Sequence, residues 1–380
     1  MTVTEARVRQ QSHKRPASSK WLYFDVHGIA TMAVAADAPT ADLISSMFAA
    51  FRADELDAAR VDIVITGDID DRGNLSLVEQ ELAYSETTVR MPHAGVQLVR
   101  DAGGVWHVQG AGELLTSVLP VIDLVAVEHG YAMIHAATMK IGGVGVAMPA
   151  AGGTGKTSTI AKAMRAPDAA FMGDDWAFVS ERGELLGYAK PMFIKPHHRA
   201  IYPHLFQGAR KPLVPSALSA PVGRLTTVVH PVFARHPRLA AFSRRWSPEH
   251  RMVAPQDALP GTPIADRAPL RLAVFVERWQ GSDIRVVEQT SPWLAARLLG
   301  NWHIEMARHS RDVLTALGAS GVVPLDQIFT RKAAILRSAV QNAQISLMQV
   351  PVAMSADVAS DEIVARLRAD VAGLPPASDG

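Results

Sequence analysis

The stretch Ala150-Ala151-Gly152-Gly153-Thr154-Gly155-Lys156-Thr157 has the spacing of a phosphate-binding loop, the Walker A pattern with Ala in place of its first glycine. It follows an apolar run that reads as a strand and leads into a segment that reads as a helix, which is the context this chemistry requires. Glycines let the backbone wrap close to phosphate oxygens, and the following helix adds its positive end. Gly152, Gly153, Thr154, Gly155, Lys156, Thr157 and Ser158 are therefore candidates to hold a nucleotide. Lys156 would neutralise the β- and γ-phosphates, and the Thr157 hydroxyl would help hold Mg²⁺, so the implied cofactors are ATP and Mg²⁺. The bland alternative is a Gly-rich turn between a strand and a helix.

Asp174 follows Lys156 by eighteen residues, and Asp175 is its neighbour at the end of a second apolar run, Phe171-Met172-Gly173. Adjacent side chains on extended backbone point to opposite sides. The two carboxylates can thus divide the work, one as general base to a hydroxyl and one toward the metal. Standing alone, such a pair marks a turn or a solvated strand end. Its place after the glycine loop is what turns the reading toward chemistry.

The elements that must position these residues are legible as patterns. Tyr131–Lys140 and Val144–Met148 read as strands, Ser158–Arg165 as a helix, and Ala169–Gly173 and Trp176–Ser180 as strands flanking the acids. Leu270–Glu277 reads as a further buried strand, and the remainder of the chain reads as mostly helical. Upstream, strands at Trp21–His27, Val61–Thr66, Gly95–Asp101 and Gly104–Gln109, with a helix at Ala41–Arg52, predict a small α+β domain. Glu113–His129 reads as a helix kinked at Pro120. The expected division is a disordered lead 1–20, a first domain 21–112, a second domain 113–373 and a frayed tail 374–380.

These pieces together resemble the catalytic domain of HPr kinase/phosphorylase and its wider kinase-like relatives, a fold also related to phosphoenolpyruvate carboxykinase. The resemblance rests on His135-Ala136-Ala137-Thr138, the strand Val144–Met148, the loop, and Gly173-Asp174-Asp175, with a weaker echo at Leu272–Trp279. It implies an α/β fold, with a P-loop kinase domain of the HPr-kinase type preceded by the smaller α+β domain. It also implies that His135, which precedes Lys156 by 21 residues, lies near the transferring phosphate. By the same resemblance Asp174 activates a serine hydroxyl as base and Asp175 faces Mg²⁺. Read from the residues alone, His135 is rather a satisfied histidine on a buried strand. The Arg-Gly-Leu-Gly segment that marks the bifunctional protein-modifying members has no counterpart; Gly187-Tyr188-Ala189-Lys190-Pro191 stands in its region. Phosphorolysis, and HPr as acceptor, are therefore not implied.

Composition narrows the classes further. The 380 residues carry 38 Lys and Arg against 37 Asp and Glu and contain no Cys, which excludes disulfides, thiolate metal sites and a cysteine nucleophile. Yet residues 190–251 hold eleven Lys and Arg against the single acid Glu249. Such asymmetry suits an anionic partner or a solvated face balanced by acids elsewhere. Lys195, Arg199, Arg210 and Lys211 are the candidates to bind an acceptor. The segment is broken by prolines and carries no recognisable nucleic-acid module, so no nucleic-acid partner is expected. His197, His198 and His204 lack a carboxylate or Cys to complete a zinc set. No apolar stretch reaches the roughly 20 residues that span a bilayer, and no secretory signal opens the chain, so a cytoplasmic protein without a membrane partner is expected. The resulting expectation is a kinase acting on a hydroxyl, first a serine of a protein or peptide. A small-molecule kinase, and a nucleotide-binding regulatory ATPase that passes on no phosphate, are the alternatives; a homo-oligomer stays open.

Overall fold

A computed structural model describes residues 21–375 except 57–59, 71–74, 79–80, 113 and 207–250. The expected lead 1–20, most of the basic segment including Arg210 and Lys211, and residues 376–380 lie outside the described residues. The chain is mixed α/β and divides into two compact units, Met1–Gly130 with Met306–Arg331, and Tyr131–Glu305 with Lys332–Gly380. Among the described residues no helix is long and apolar enough to cross a membrane.

The first unit is built on a nine-stranded sheet. Its strands are β1 (Trp21–Val26), β2 (Ala30–Ala35), β3 (Arg52–Ala53), β4 (Ile63–Thr66), β5 (Ser76–Val78), β6 (Leu82–Tyr84), β7 (Thr88–Met91), β8 (Val96–Arg100) and β9 (Trp106–Gly110), in the order β3-β1-β2-β4-β9-β8-β7-β6-β5. The centre, β2-β4-β9, is parallel, and α1 (Ala41–Met47) makes the crossover that such pairing needs. Strand β2, ATMAVA, is buried along its whole length, as a central strand must be.

The helix α2 (Leu114–Glu128), expected to open the second domain, groups with the first unit instead. It is apolar almost all round, and such a helix needs cover on several sides. Strand β9 and the helix Arg308–Ala319 supply that cover, with Ser117 Oγ 2.8 Å from His309 Nε2. Pro120 lies inside α2 without ending it.

The second unit carries an eight-stranded sheet in which two long strands each change partners along their length. Its first elements are β10 (Tyr131–Ile141), β11 (Val144–Pro149), α3 (Lys156–Ala163), β12 (Ala169–Gly173), β13 (Trp176–Ser180) and β14 (Glu184–Gly187). Next along the chain come β15 (Met192–Ile194), β16 (Arg251–Val253), β17 (Arg267–Trp279), β18 (Arg285–Glu288), α4 (Ser291–Glu305), β19 (Gln344–Pro351) and α5 (Ala356–Gly373). The first half of β10 pairs with β13, and its second half with β11 and β12. Likewise β17 starts against β14, then runs parallel to both β11 and β19. The parallel trio β11-β17-β19 ends its strands along one edge, where open α/β sheets bind ligands. The glycine loop leaves β11 at that edge, and Ala150 bridges to Val276 of β17. Strands β15 and β16, which flank the undescribed residues 207–250, pair with each other.

Candidate functional site

Between the buried end of β11 and the first turn of α3 the loop turns twice through left-handed backbone, at Gly153 (φ 80°) and Gly155 (φ 105°). Only glycine takes these angles without strain, which explains its spacing here. The Thr154 hydroxyl is buried and donates to Ala151 O at 2.8 Å, tying the loop to itself. Lys156 folds back, and its Nζ donates to Ala150 O at 2.7 Å and Ala151 O at 3.3 Å. Burial lowers its pKa, against the pull of Asp175, Glu305 and Asp174. Ser158 is buried in the first turn of α3.

The two acids meet different partners. Thr157 Oγ1 stands 3.1 Å from Asp174 Oδ1 and 3.3 Å from Oδ2, and donates its one proton to that carboxylate. Asp174 is buried, and that burial, followed by the charge of Asp175, pushes its pKa up; Lys190, Thr157 and Lys156 only partly oppose this. Asp175 lies among protein atoms yet keeps a third of its side chain open (34%). His135 Nε2 is 2.8 Å from its Oδ1, and the Lys190 ammonium is 3.1 Å from its Oδ2. Burial alone would raise Asp175; Lys190 and then His135 outweigh it and hold the carboxyl well below the usual range.

His135 is buried on β10, directly across the ladder from Trp176, with the rings edge to face at 5.1 Å between centroids. Asn301 of α4 settles which ring nitrogen carries the proton. Its Nδ2 lies 2.9 Å from His135 O, which can only accept, so the amide NH₂ faces His135. That NH₂ also meets Nδ1 at 3.3 Å, which leaves the ring proton on Nε2, donated to Asp175.

His135, Lys156, Thr157, Asp174 and Asp175 therefore converge in one unit, with Lys190, Asn301, Tyr202 and Glu305 added to them. Lys190 is buried and packs 4.7 Å over the Phe193 ring. Tyr202 is buried and donates to Thr157 O at 3.2 Å; burial pushes its hydroxyl well up. Glu305 Oε1 accepts from the loop amide Gly152 N at 3.0 Å. Arg297, Asn301 and Glu305 stand four apart, so α4 lays one polar stripe on the site. That i, i+4, i+8 spacing was present in the sequence; nothing local said which neighbour it faces.

The pairing differs from the expected division of the acids in one respect. The loop hydroxyl meets Asp174, whereas Asp175 was expected beside the metal with Thr157. Of the acceptor candidates, Lys195 sits close enough to Lys156 for its charge to press that pKa down. Arg199 stacks on Phe206 at 5.4 Å, and Arg210 and Lys211 lie outside the described residues. His198 Nδ1 accepts from Lys195 N, and His204 Nε2 reaches Asp257 O. Among the described residues no group of three His, Cys, Asp or Glu side chains is placed to hold a metal ion alone.

Thr157 and Asp174 offer hard oxygen donors, and magnesium is typically bound by one or two protein ligands with the rest from phosphates and water. The donor set thus fits Mg²⁺ accompanied by a phosphate ligand. No protein-family model matches the chain, and no curated protein matches it.

Proposed function

We propose that the chain is an ATP·Mg²⁺-dependent kinase that phosphorylates a hydroxyl, using a P-loop domain of the HPr-kinase type formed by the second unit. The observation that carries this reading is the pairing of two differently tuned carboxylates beside a glycine loop. Asp174 contacts the loop hydroxyl Thr157, and Asp175 is kept ionised by Lys190 and His135. Bound nucleotide and Mg²⁺ supply the phosphoryl group and neutralise its charge.

The loop amides and Lys156 hold the phosphates, and Lys156 exchanges the carbonyls of Ala150 and Ala151 for phosphate oxygens. Thr157 and Asp174 hold the metal. Lys190 lies 3.1 Å from Asp175, and a cation so placed opposes a second cation there, so Asp175 is the poorer metal ligand. The roles expected for the two acids are accordingly exchanged in this proposal. Asp175, the more open of the pair, orients the acceptor hydroxyl and takes its proton while the hydroxyl oxygen bonds to phosphorus and the nucleoside diphosphate leaves. Each Asp175 oxygen keeps a lone pair beyond its contact with His135 or Lys190. A low pKa suits this role, because a loose phosphoryl-transfer transition state asks more for orientation than for a strong base. His135 fixes the carboxylate plane.

A serine of a protein or peptide is the first acceptor and a small-molecule alcohol the second; Lys195 beside Lys156 favours an acceptor bearing negative charge. A regulatory ATPase needs the loop and Asp174 but has no use for the Asp175–His135–Lys190 set. Purified protein incubated with γ-labelled ATP, Mg²⁺ and acceptor pools tests the reading. Lys156→Ala abolishes transfer. Asp174→Asn raises the Mg²⁺ concentration needed for half-maximal rate, and Asp175→Asn lowers the rate about 10²-fold or more at saturating Mg²⁺. Full turnover by Lys156→Ala would overturn the kinase reading; the reverse pattern for the two aspartates would restore Asp174 as the base.

A further inference from the structure

Gly152 is the first glycine of the loop, and the group that accepts from its amide is a carboxylate. Glu305 Oε1 lies 3.0 Å from Gly152 N, and Oε2 is the atom nearest the position a Gly152 side chain would take, at 3.4 Å. The charge of Glu305 is also felt by Lys156. A carboxylate here makes the kind of contact a phosphate oxygen makes: an anion on a loop amide, near the loop lysine. Lys156 itself is turned onto the loop carbonyls Ala150 and Ala151. Glu305 is the last residue of α4, and four residues before it Asn301 is fastened to His135. The carboxylate can therefore swing off the loop by its own side-chain torsions while the catalytic contacts of α4 stay in place.

We propose that Glu305 is a built-in competitor for the nucleotide phosphates, an autoinhibitory contact that must leave Gly152 before the loop can close on a triphosphate. This rests on the loop's being a nucleotide site. Occupancy of the loop by Glu305 lowers apparent affinity by the fraction of molecules left open. The penalty falls on phosphate-bearing ligands and not on the nucleoside, since only phosphate oxygens seek the loop amides. Removing the charge while keeping the side chain's size, in Glu305→Gln, lifts most of it.

Calorimetric titration of the full chain with ATP, ADP and adenosine in Mg²⁺, for wild type, Glu305→Gln, Glu305→Ala and Lys156→Ala, provides the test. Amide exchange at Gly152 without nucleotide is read alongside. ATP affinity is expected to rise about tenfold in both Glu305 variants, the gain for a loop held closed roughly nine-tenths of the time. ADP gains no more than ATP, adenosine is unchanged, and Gly152 exchanges faster. Faster exchange with unchanged ATP affinity would overturn the competition while leaving the nucleotide site standing. Weaker ATP binding in both variants would make Glu305 a ligand-binding residue and overturn it too. Failure of wild type and Glu305 variants alike to bind any nucleotide would remove the loop reading, and the proposal with it.

Discussion

Burial and the charge of Asp175 push the Asp174 carboxyl up, while Lys190 and His135 hold Asp175 down against its own burial. Linkage gives these two shifts opposite signs in stability. An acid with a raised folded-state pKa contributes stability that is full below its unfolded value, near 3.9, and lost as pH rises through the folded value. Metal-free Asp174→Asn escapes that loss, so its melting temperature should exceed wild type by a few degrees at neutral pH. The gap should close as pH falls toward about 4, the unfolded-state value. Magnesium together with ATP should raise the wild-type melting temperature more than the variant's. Asp175→Asn behaves in the opposite way: its wild-type contribution is present at neutral pH and is lost as pH falls below the unfolded value. Removing it strands the buried Lys190, a cost of roughly 3 kcal/mol. Scanning calorimetry from about pH 2 to 8, with and without ATP·Mg²⁺, checks all three; a wild-type advantage over Asp174→Asn at neutral pH without metal would contradict the assignment. The identity of these acids was legible from their distance to Lys156. Their unequal tuning was not, because Lys190 and His135 meet Asp175 only through the fold.

At the scale of elements, α4 holds the site together with a single stripe: Arg297 to Glu277 at 2.8 Å, Asn301 to His135, Glu305 to Gly152. Glu277 lies at the C-terminal end of β17, one residue beyond the bridge to Ala150, and also accepts from Gln349 of β19. The helix thus fastens the middle of β10, the C-terminal end of β17 and the loop after β11. Asn301→Leu keeps the branched side-chain shape and removes both bonds to His135. The ¹⁵N shifts of the His135 ring, reporting the Nε2–H form in wild type, should move toward a mixture of tautomers. The catalytic rate should fall about tenfold with the KM for ATP unchanged, as for a group that acts through another. A lowered melting temperature with native ring shifts and native rate would make Asn301 merely structural. Strands β10 to β13 were readable because each is a continuous apolar run bounded by Gly or Asp. Strand β19 was hidden: QISLMQVP sits between helices in a region of helical composition, and only the parallel ladder with β17 makes it a strand. Strand β2 was missed for a related reason. Its alanines have little strand preference, and pairing with β1 and β4 decides its conformation.

For the whole molecule, the sequence reading opens the second domain at residue 113, whereas the contacts divide the chain at Tyr131. What no local pattern disclosed is that residues 306–331 return to the first unit and cover α2, a partnership across nearly two hundred residues of chain. All of the proposed chemistry belongs to the second unit, which sets an expectation for how ligand should change local stability. A ligand stabilises the openings that destroy its site by an amount that grows with concentration, about 2.7 kcal/mol at a hundred times Kd. Openings confined to the first unit's sheet leave the site intact and gain nothing. Hydrogen exchange of the full chain with saturating ATP·Mg²⁺ should therefore slow at residues 151–158 and 174–176 and along β10, β11 and β17. Exchange in β1, β2, β4 and β9 should stay at its ligand-free rate. Equal slowing in both sheets would mean that the units open as one cooperative body, so that the division seen in contacts has no thermodynamic counterpart. Slowing confined to the first unit would place the nucleotide elsewhere and overturn the site itself.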